Sequence, residues 1–214
     1  MARVVKPERK YDASRRQEQA RETRLRIIRA AHRLFVEQGY GRTTMANIAD
    51  AAGVSVESVY ASFKNKATLL HRAWDITIGG DDEEIAFHDR PEVLAVRNEP
   101  DLATRFMLHA RLSTQTARRM TPFIRAVQAA AGTEPAAAAM IEEINRQRLM
   151  GMTVMAAEAA KTGQLAVTEE ECRDVIWAFT EGAMWHQMVN ERGWSDDRFA
   201  EWLGTIWVRM LVAT

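Results

Sequence analysis

The sequence predicts an all-α fold, with three helices of helix-turn-helix type at the N-terminus and a larger helical bundle behind them. The 214 residues include only 5 Pro and 11 Gly, and long stretches are rich in Ala, Leu, Met, Glu and Arg, which favour helices. No segment shows the sustained alternation of a β-strand. Glycines and helix-capping residues divide the chain into segments of helical period.

The N-terminal segment changes character near residue 21. Residues 1–20 are polar and basic, and we expect a flexible or partly helical arm there. From about Glu22, apolar residues such as Leu25 and Ile28 recur at helical spacing, and arginines occupy most of the other positions. Gly39 is expected to end this first helix.

Two short helices, MANIADAA and VESVYASF, follow the first helix closely. Thr44 is the predicted N-cap of the former and Ser55 of the latter, because their hydroxyls can accept from free backbone N–H groups. Gly53 lies between them, where a left-handed residue allows a tight turn. Val59 and Phe63 are four residues apart and should face inward. This is the pattern of a helix-turn-helix, although an ordinary corner between two helices shares it.

The rest of the chain is predicted to consist of helices separated by breaks. A fourth helix runs from about Ala67 to Ile78, and the segment GGDDEE at 79–84 marks a boundary. We expect an irregular piece from there to about Pro100. Breaks at Thr121-Pro122 and at later Gly, Pro and Thr residues then divide the remainder into helices near 101–119, 122–131, 135–161, 168–191 and 196–212.

The formal net charge of zero conceals two oppositely charged regions. Residues 1–70 hold 14 Lys/Arg and 7 Asp/Glu, whereas residues 71–214 hold 15 Lys/Arg and 22 Asp/Glu. A basic front joined to an acidic body is typical of a polyanion-binding domain attached to a different kind of module. A basic tail that is merely solvated gives the same asymmetry.

Residues 25–70 resemble the DNA-binding domain of TetR-family transcriptional regulators. The matching positions are dense and lie at family spacing: Phe35, Gly39, Tyr40, Thr43, Thr44, Ile48, Ala49, Ala52, Gly53, Val54, Ser55, Tyr60, Phe63, Lys66, Leu69 and Leu70. The resemblance implies a homodimer that binds operator DNA and is usually a repressor released by a small molecule. We accordingly divide the chain into a basic arm (1–20), a helix-turn-helix DNA-binding domain (21–66) and a helical ligand-binding and dimerisation domain (67–214).

The same resemblance assigns roles within the DNA-binding domain. It places Thr44, Tyr60 and Lys66 on the DNA backbone, and contacts of this kind fix register without reading sequence. Base reading falls to outward positions of the third helix. The full predicted DNA-binding set is Thr43, Thr44, Ser55, Val56, Glu57, Ser58, Tyr60, Ser62, Lys64 and Lys66.

Three points about DNA recognition remain open in the sequence. Glu57 can accept from a cytosine amine or simply favour the positive end of its helix. Glu57 and Ser62 both depart from the family's frequent choices, so no operator sequence follows. The arginine-rich segment from Arg3 to Arg33 can lie in a minor groove or along phosphates, whereas most of residues 1–20 can equally form a disordered tail.

Methionine and tryptophan residues are concentrated in the C-terminal body. They suggest a site for an apolar or aromatic ligand, which we predict at Met107, His109, Met150, Met155, Trp177 and Trp185. Plain core packing is the alternative for each of them.

The final two helices carry wide apolar faces, and the resemblance implies a dimer interface there, predicted at Trp185, Met188, Trp202 and Ile206. Burial within one chain is the alternative, and Gly182 and Gly204 should permit close helix approach.

Nothing in the sequence supports catalysis. The five histidines lack metal-binding spacing, and no GxSxG, Walker or GxGxxG motif occurs, so we expect no enzyme activity, cofactor or metal site. The single cysteine, Cys172, follows three acids, which disfavour a reactive thiolate. Without an apolar run of 18 residues or a signal peptide, we expect a cytoplasmic protein that does not enter a membrane. The rival function is a helical ligand-binding or interaction module without operator-specific DNA binding.

Overall fold

A computed structural model describes residues 10–80 and 85–213, and within them the regular secondary structure is helical apart from one isolated β-bridge between Leu165 and Val212. The all-α prediction is confirmed. The helices are α1 (Lys10–Gln38), α2 (Met45–Ala52), α3 (Val56–Ser62), α4 (Lys66–Gly79), α5 (Pro91–Asn98), α6 (Leu102–Ala131), α7 (Pro135–Ala160), α8 (Glu169–Phe179), α9 (Ala183–Trp185) and α10 (Asp196–Leu211). A 3₁₀ turn, Phe87–Asp89, precedes α5, and a π-helical segment, His186–Glu191, continues α9.

The predicted caps of α2 and α3 are confirmed. The Thr44 hydroxyl accepts from the Asn47 N–H at 3.1 Å, and the Asn47 side-chain oxygen accepts from the Thr44 N–H at 3.0 Å, so the two residues form a capping box. The Ser55 hydroxyl accepts from the Ser58 N–H at 3.2 Å. Gly53 has φ 64°, which is the left-handed conformation that the turn requires.

One buried cluster joins the first four helices to the bundle. It contains Phe35 of α1, Val59 of α3 and Trp74 of α4, together with Phe123 of α6 and Met140 of α7. The Trp74 and Phe123 rings lie 6.1 Å apart. This core crosses the predicted boundary at residue 66, because α4, α6 and α7 all contribute to it. The division into domains stays a prediction, and residues of α6 and α7 share a core with the helix-turn-helix.

A second cluster holds the bundle's far end together. It includes Phe106 of α6, Ile176 of α8 and Trp207 of α10. At Gly204 of α10, an added Cβ would lie 2.6 Å from the Met107 sulfur and 3.2 Å from the Met107 Cα. The predicted close approach at Gly204 is therefore confirmed, and it is between α10 and α6.

Two expectations about the N-terminal half require correction. α1 begins at Lys10 and not near Glu22. Residues 10–20 are therefore helical, which agrees with a partly helical arm, whereas residues 1–9 of the predicted arm lie outside the described residues. The piece before Pro100 was expected to be irregular, but it contains α5, whose first residue is Pro91. Proline is well suited to this first position because its missing N–H has no partner there in any helix.

Two breaks were also misplaced. The expected break at Thr121-Pro122 is wrong, because α6 passes through Pro122. Pro122 is exposed, while Thr121, Phe123 and Ile124 are buried, and their burial offsets the one helical hydrogen bond that proline cannot make. Conversely, the predicted helix 168–191 is interrupted between α8 and α9, where Gly182 has φ 92°.

No helix in the described part of the chain has the length and apolar character needed to cross a membrane.

Candidate DNA interface and ligand cavity

The outer side of α3 is polar and accessible, while its inner side anchors the helix. Val59 and Phe63 are buried as predicted, and the Arg24 guanidinium of α1 lies 5.5 Å from the centre of the Phe63 ring. Tyr60 is 54% exposed, although an aromatic ring gains from burial. The outward side chains of this segment are Ser55, Glu57, Tyr60 and Lys64, and Ser58 and Ser62 are half-buried at its edges.

Thr44 and Glu57 show how the starts of α2 and α3 are organised. Thr44 is exposed while its hydroxyl serves the capping box. The pKa of the Glu57 carboxyl is lowered by its own backbone N–H and then by the Ser55 hydroxyl. These contacts support a role for the Glu57 carboxylate in stabilising the first turn of α3. A hydrogen bond from a cytosine amine to Glu57 stays a prediction.

Thr43 does not belong to the exposed surface, which corrects its predicted role, whereas Val56 is partly exposed and its role toward DNA stays a prediction. Thr43 is 1% exposed, and its hydroxyl donates to the Gly39 carbonyl at 2.9 Å. It therefore fixes the turn between α1 and α2. Val56 is half-buried and packs against the N-terminal core. Spacing alone placed both residues next to exposed positions without showing which way they point.

Lys66 is half-buried in the N-terminal unit, and its predicted contact with the DNA backbone stays a prediction. Its ammonium donates to the Tyr40 carbonyl at 2.9 Å and lies 4.2 Å from the centre of the Tyr40 ring. Burial, followed by the charge of Glu134, raises the pKa of Tyr40 to about 12, so its phenol is neutral. Glu134 is the N-cap residue of α7. The start of α4, the α1–α2 turn and the start of α7 therefore meet around Tyr40.

A cavity of about 130 Å³ lies between α4, α6, α7 and the turn that separates α8 from α9. Its wall includes Trp74 and Ile78 of α4, together with Met120 of α6 and Met152 of α7. The Trp74 indole N–H donates to the Gln147 side-chain oxygen at 3.1 Å, which joins α4 to α7 at the wall. The cavity is therefore bounded by the same helix that follows the helix-turn-helix.

Of the six predicted ligand residues, only His109 lines this cavity. Burial lowers the pKa of His109 to about 4, and its ring lies 5.1 Å from the Trp207 ring. The other five lie elsewhere: Met107 packs on Gly204, Met150 is 58% exposed, Met155 packs within the apolar clusters, Trp177 lies under the Arg148 guanidinium, and Trp185 is buried.

The residues that were missed share one signal. On α6, the cavity positions recur at intervals of three and four, as on a single helical face: His109, Leu112, Ser113, Thr116, Ala117, Met120, Thr121 and Ile124. The methionine and tryptophan content of the sequence indicates apolar chemistry but does not show which residues share this face. Trp74 was not among the predicted ligand residues, and it lies both on the cavity wall and in the core that α4 shares with α6.

The predicted dimer residues fall into two groups. Trp185 is 5% exposed and its indole N–H donates to Asp196 at 2.8 Å, so it belongs to the core of its own chain and its assignment to an interface is corrected. Met188 is half-buried in the π-helical segment. Trp202 and Ile206 are partly exposed, and Met210 continues their line along α10 at 47% exposure.

Comparison with known proteins agrees with this architecture. Residues 27–73 match the family model described as bacterial regulatory proteins, tetR family. The HTH-type transcriptional regulator TtgR of Pseudomonas putida is 48% identical over 61 residues, which are 28% of this chain and 29% of TtgR. The chain thus matches less than a third of that relative's length.

Solved structures resemble nearly the whole chain at low sequence identity. NalD, the secondary repressor of the MexAB-OprM multidrug efflux pump in Pseudomonas aeruginosa, has a TM-score of 0.63 and 21% identity over 90% of this chain and 97% of its own. The SmeT–triclosan complex has a TM-score of 0.63 and 21% identity over 90% of this chain and 92% of its own. At this identity the likeness shows the fold.

The capped α2–α3 pair, the accessible side of α3 and the helical body define a helix-turn-helix protein with a C-terminal helical bundle. Residues 27–73 have the sequence of a TetR-family N-terminal domain, and the described helices as a whole have the fold of the solved structures above.

Proposed function

We propose that this chain is a dimeric transcriptional regulator, acting as a repressor, that binds operator DNA through the outer side of α3. The observation that carries the proposal is the accessible Tyr60–Lys64 side of α3 in a chain segment of TetR-family sequence. Tyr60, Thr44 and Lys64 supply phosphate contacts, and Ser55, Ser58 and Ser62 lie where a helix in the major groove meets base edges. Lys66 supports the DNA-binding unit from within.

We further propose that a small molecule in the cavity lowers DNA affinity. The support is structural continuity: Trp74 of α4 lines the cavity, hydrogen-bonds to Gln147 of α7 and packs in the core that holds α1–α3. A ligand that displaces Trp74 or Gln147 changes how α4 sits beneath α3. The triclosan complex of SmeT is consistent with ligand binding in this fold.

The dimer interface is proposed along α10. Trp202, Ile206 and Met210 are spaced by four residues and therefore share one helical face. An exposed apolar line of this kind is suited to a second copy of the same helix. Two copies would present two α3 helices to successive major grooves, about 34 Å apart.

In vitro selection from a random duplex library tests the proposed function. The purified full-length chain should enrich a sequence with two-fold symmetry, because a symmetric dimer reads two related half-sites. A helical ligand-binding or interaction module without operator specificity, the rival function, would enrich no sequence. A cytoplasmic location and the lack of catalytic activity are part of the proposal.

A further inference from the structure

Thr121 differs from other helical threonines of the described chain in what its hydroxyl contacts. Five of them donate their hydroxyls to the carbonyl four residues earlier: Thr77, Thr114, Thr116, Thr153 and Thr180, of which Thr153 is exposed and Thr180 caps α8. Thr121 is 4% exposed, and its Oγ1 has no hydrogen-bond partner within the described residues.

The unpartnered hydroxyl is carried by a residue of the cavity wall, on the side where Gly182 lies. Thr121 lines the cavity, and its Oγ1 lies 2.5 Å from where a Cβ on Gly182 would stand. Gly182 therefore leaves the space that the hydroxyl occupies. A buried hydroxyl without a partner is costly, whereas one that meets a ligand's polar group is satisfied when the ligand binds. The position marks a polar anchor in a mostly apolar cavity.

The buried part of the wall offers no free charge to balance an ionised ligand. Arg148 and Glu181 are the charged residues that line the cavity, and Glu181 is exposed. Arg148 is already engaged, because it donates to the Trp177 carbonyl and to Asn145 and stacks 4.4 Å from the centre of the Trp177 ring. His109 is uncharged at neutral pH. An unpaired charge buried here would be strongly disfavoured, so this lining favours an uncharged ligand.

The space and its lining favour a single aromatic ring. The cavity holds about 130 Å³. A dry apolar cavity of about 150 Å³ accommodates one benzene molecule. Met120 and Met152 offer thioethers beside Trp74, and sulfur contacts favour aromatic faces and edges.

We propose that the cavity binds an uncharged, single-ring phenol whose hydroxyl hydrogen-bonds to the Thr121 Oγ1. A phenol hydroxyl both donates and accepts, and so does the threonine hydroxyl, so the pair can bond in either direction. This inference rests on the proposed function, because it names the ligand class of the proposed regulatory cavity.

Direct binding of three probes to the full-length protein tests the inference without DNA. The probes are 4-ethylphenol, its methyl ether 4-ethylanisole, and 4-hydroxybenzoate, which is anionic at neutral pH. Titration calorimetry should show 4-ethylphenol binding about 10-fold more tightly than 4-ethylanisole, as expected for one hydrogen bond. 4-Hydroxybenzoate should bind more weakly than both.

Variants at Thr121 locate the hydrogen bond. Thr121→Val should weaken 4-ethylphenol about 10-fold and leave 4-ethylanisole unchanged, because only the phenol loses a partner. Thr121→Ser keeps the hydroxyl and should bind as the wild type does. Thr114→Val is the matched control, because Thr114 is buried on the same helix, outside the cavity lining, with its hydroxyl bonded to Ala110. Circular dichroism and melting curves verify that each variant is folded.

Equal affinities for the phenol and its ether, unchanged phenol binding by folded Thr121→Val, or tighter binding of 4-hydroxybenzoate would each overturn the inference. A Thr121→Val chain that does not fold leaves the probe comparison in the wild type and Thr121→Ser to decide.

Adding selected operator DNA separates the two proposals. Phenol binding without any effect on DNA affinity supports the ligand class and contradicts regulation by the cavity. A charged compound that binds where phenols do not, and that releases DNA, contradicts the ligand class and supports regulation by the cavity.

Discussion

Lys64 and Lys66 are two residues apart and differ completely in their surroundings. Lys64 is exposed, whereas Lys66 bonds to the Tyr40 carbonyl and covers the Tyr40 ring. We predict that Lys66→Ala lowers the free energy of unfolding by about 1–2 kcal/mol, because it removes a charged hydrogen bond and a cation–π contact. Urea denaturation measures the change, with Lys64→Ala as the control that should leave stability unaltered. Equal stabilities of the two variants would contradict the structural role of Lys66.

The buried His109 makes a second prediction, on pH dependence. Burial lowers its pKa from 6.5 to about 4, so the unfolded chain binds a proton more readily than the folded chain between these values. The contribution to stability is complete above pH 6.5 and is lost as the pH falls toward 4. Between pH 7.5 and 5.0 the loss from this group should be about 2 kcal/mol.

Denaturation of the wild type and of His109→Gln at both pH values checks this expectation. Other groups titrate equally in the two proteins, so the difference between their pH-dependent losses reports His109 alone. The wild type should lose more stability than the variant on acidification. If both proteins lose the same amount, the imidazole is not kept neutral by burial.

Local roles were predictable from the sequence, whereas roles that depend on a distant partner were not. Thr44, Gly53 and Ser55 were identified correctly because a cap or turn depends on neighbours within a few positions. Lys66 meets Tyr40, which is 26 residues away, and Thr121 meets Gly182 across the cavity. Neither contact can be predicted from the spacing of residues that are close together in the sequence.

The turn between α8 and α9 depends on Gly182, which is the basis of a prediction at the scale of elements. Its φ of 92° is strained for other residues, and an added Cβ would meet the Thr121 Oγ1 at 2.5 Å. Gly182→Ala should therefore lower stability by about 1–3 kcal/mol. Gly132→Ala is the control, because Gly132 has φ −70° and open space around it. That variant should be unchanged or more stable by up to about 1 kcal/mol.

Thermal or urea denaturation of the two alanine variants distinguishes them. Similar stabilities would show that the α8–α9 turn tolerates a side chain and that the helix break has another cause. This break was hard to predict because the segment 168–191 is otherwise helical in period. The effect of Pro122 was overestimated, since a proline can remain inside a helix when the residues beside it are buried.

At the scale of the whole molecule, α10 carries the prediction about assembly. The chain should sediment as a dimer, and Met210→Asp should shift it toward monomers, because a charge buried at an interface without a partner is costly. Met210 is 47% exposed in one chain, so the substitution should leave the fold intact. Leu94→Asp is a control of similar exposure on α5 and should remain dimeric. A wild type that is monomeric at micromolar concentration would contradict the proposed interface.

The overall architecture was more predictable than the positions of its sites. Helical composition and a dense motif at 25–70 are sufficient for the fold class and the N-terminal unit. The cavity forms only where α4, α6 and α7 meet, and the faces that those helices present depend on packing between segments far apart in sequence. For this reason the sequence did not indicate that Trp74 and Thr121 line the cavity together with His109.

The most direct test of the central claim is the affinity of the selected duplex for a chain that lacks the outer contacts of α3. Fluorescence anisotropy should show that Tyr60→Ala combined with Lys64→Ala weakens binding at least about 100-fold and makes the salt dependence shallower. Lys161→Ala is the matched control, because Lys161 follows α7 at the end opposite Tyr40 and pairs with Glu158. It should bind as the wild type does. A double variant within about 2-fold of the wild type would contradict DNA binding through α3.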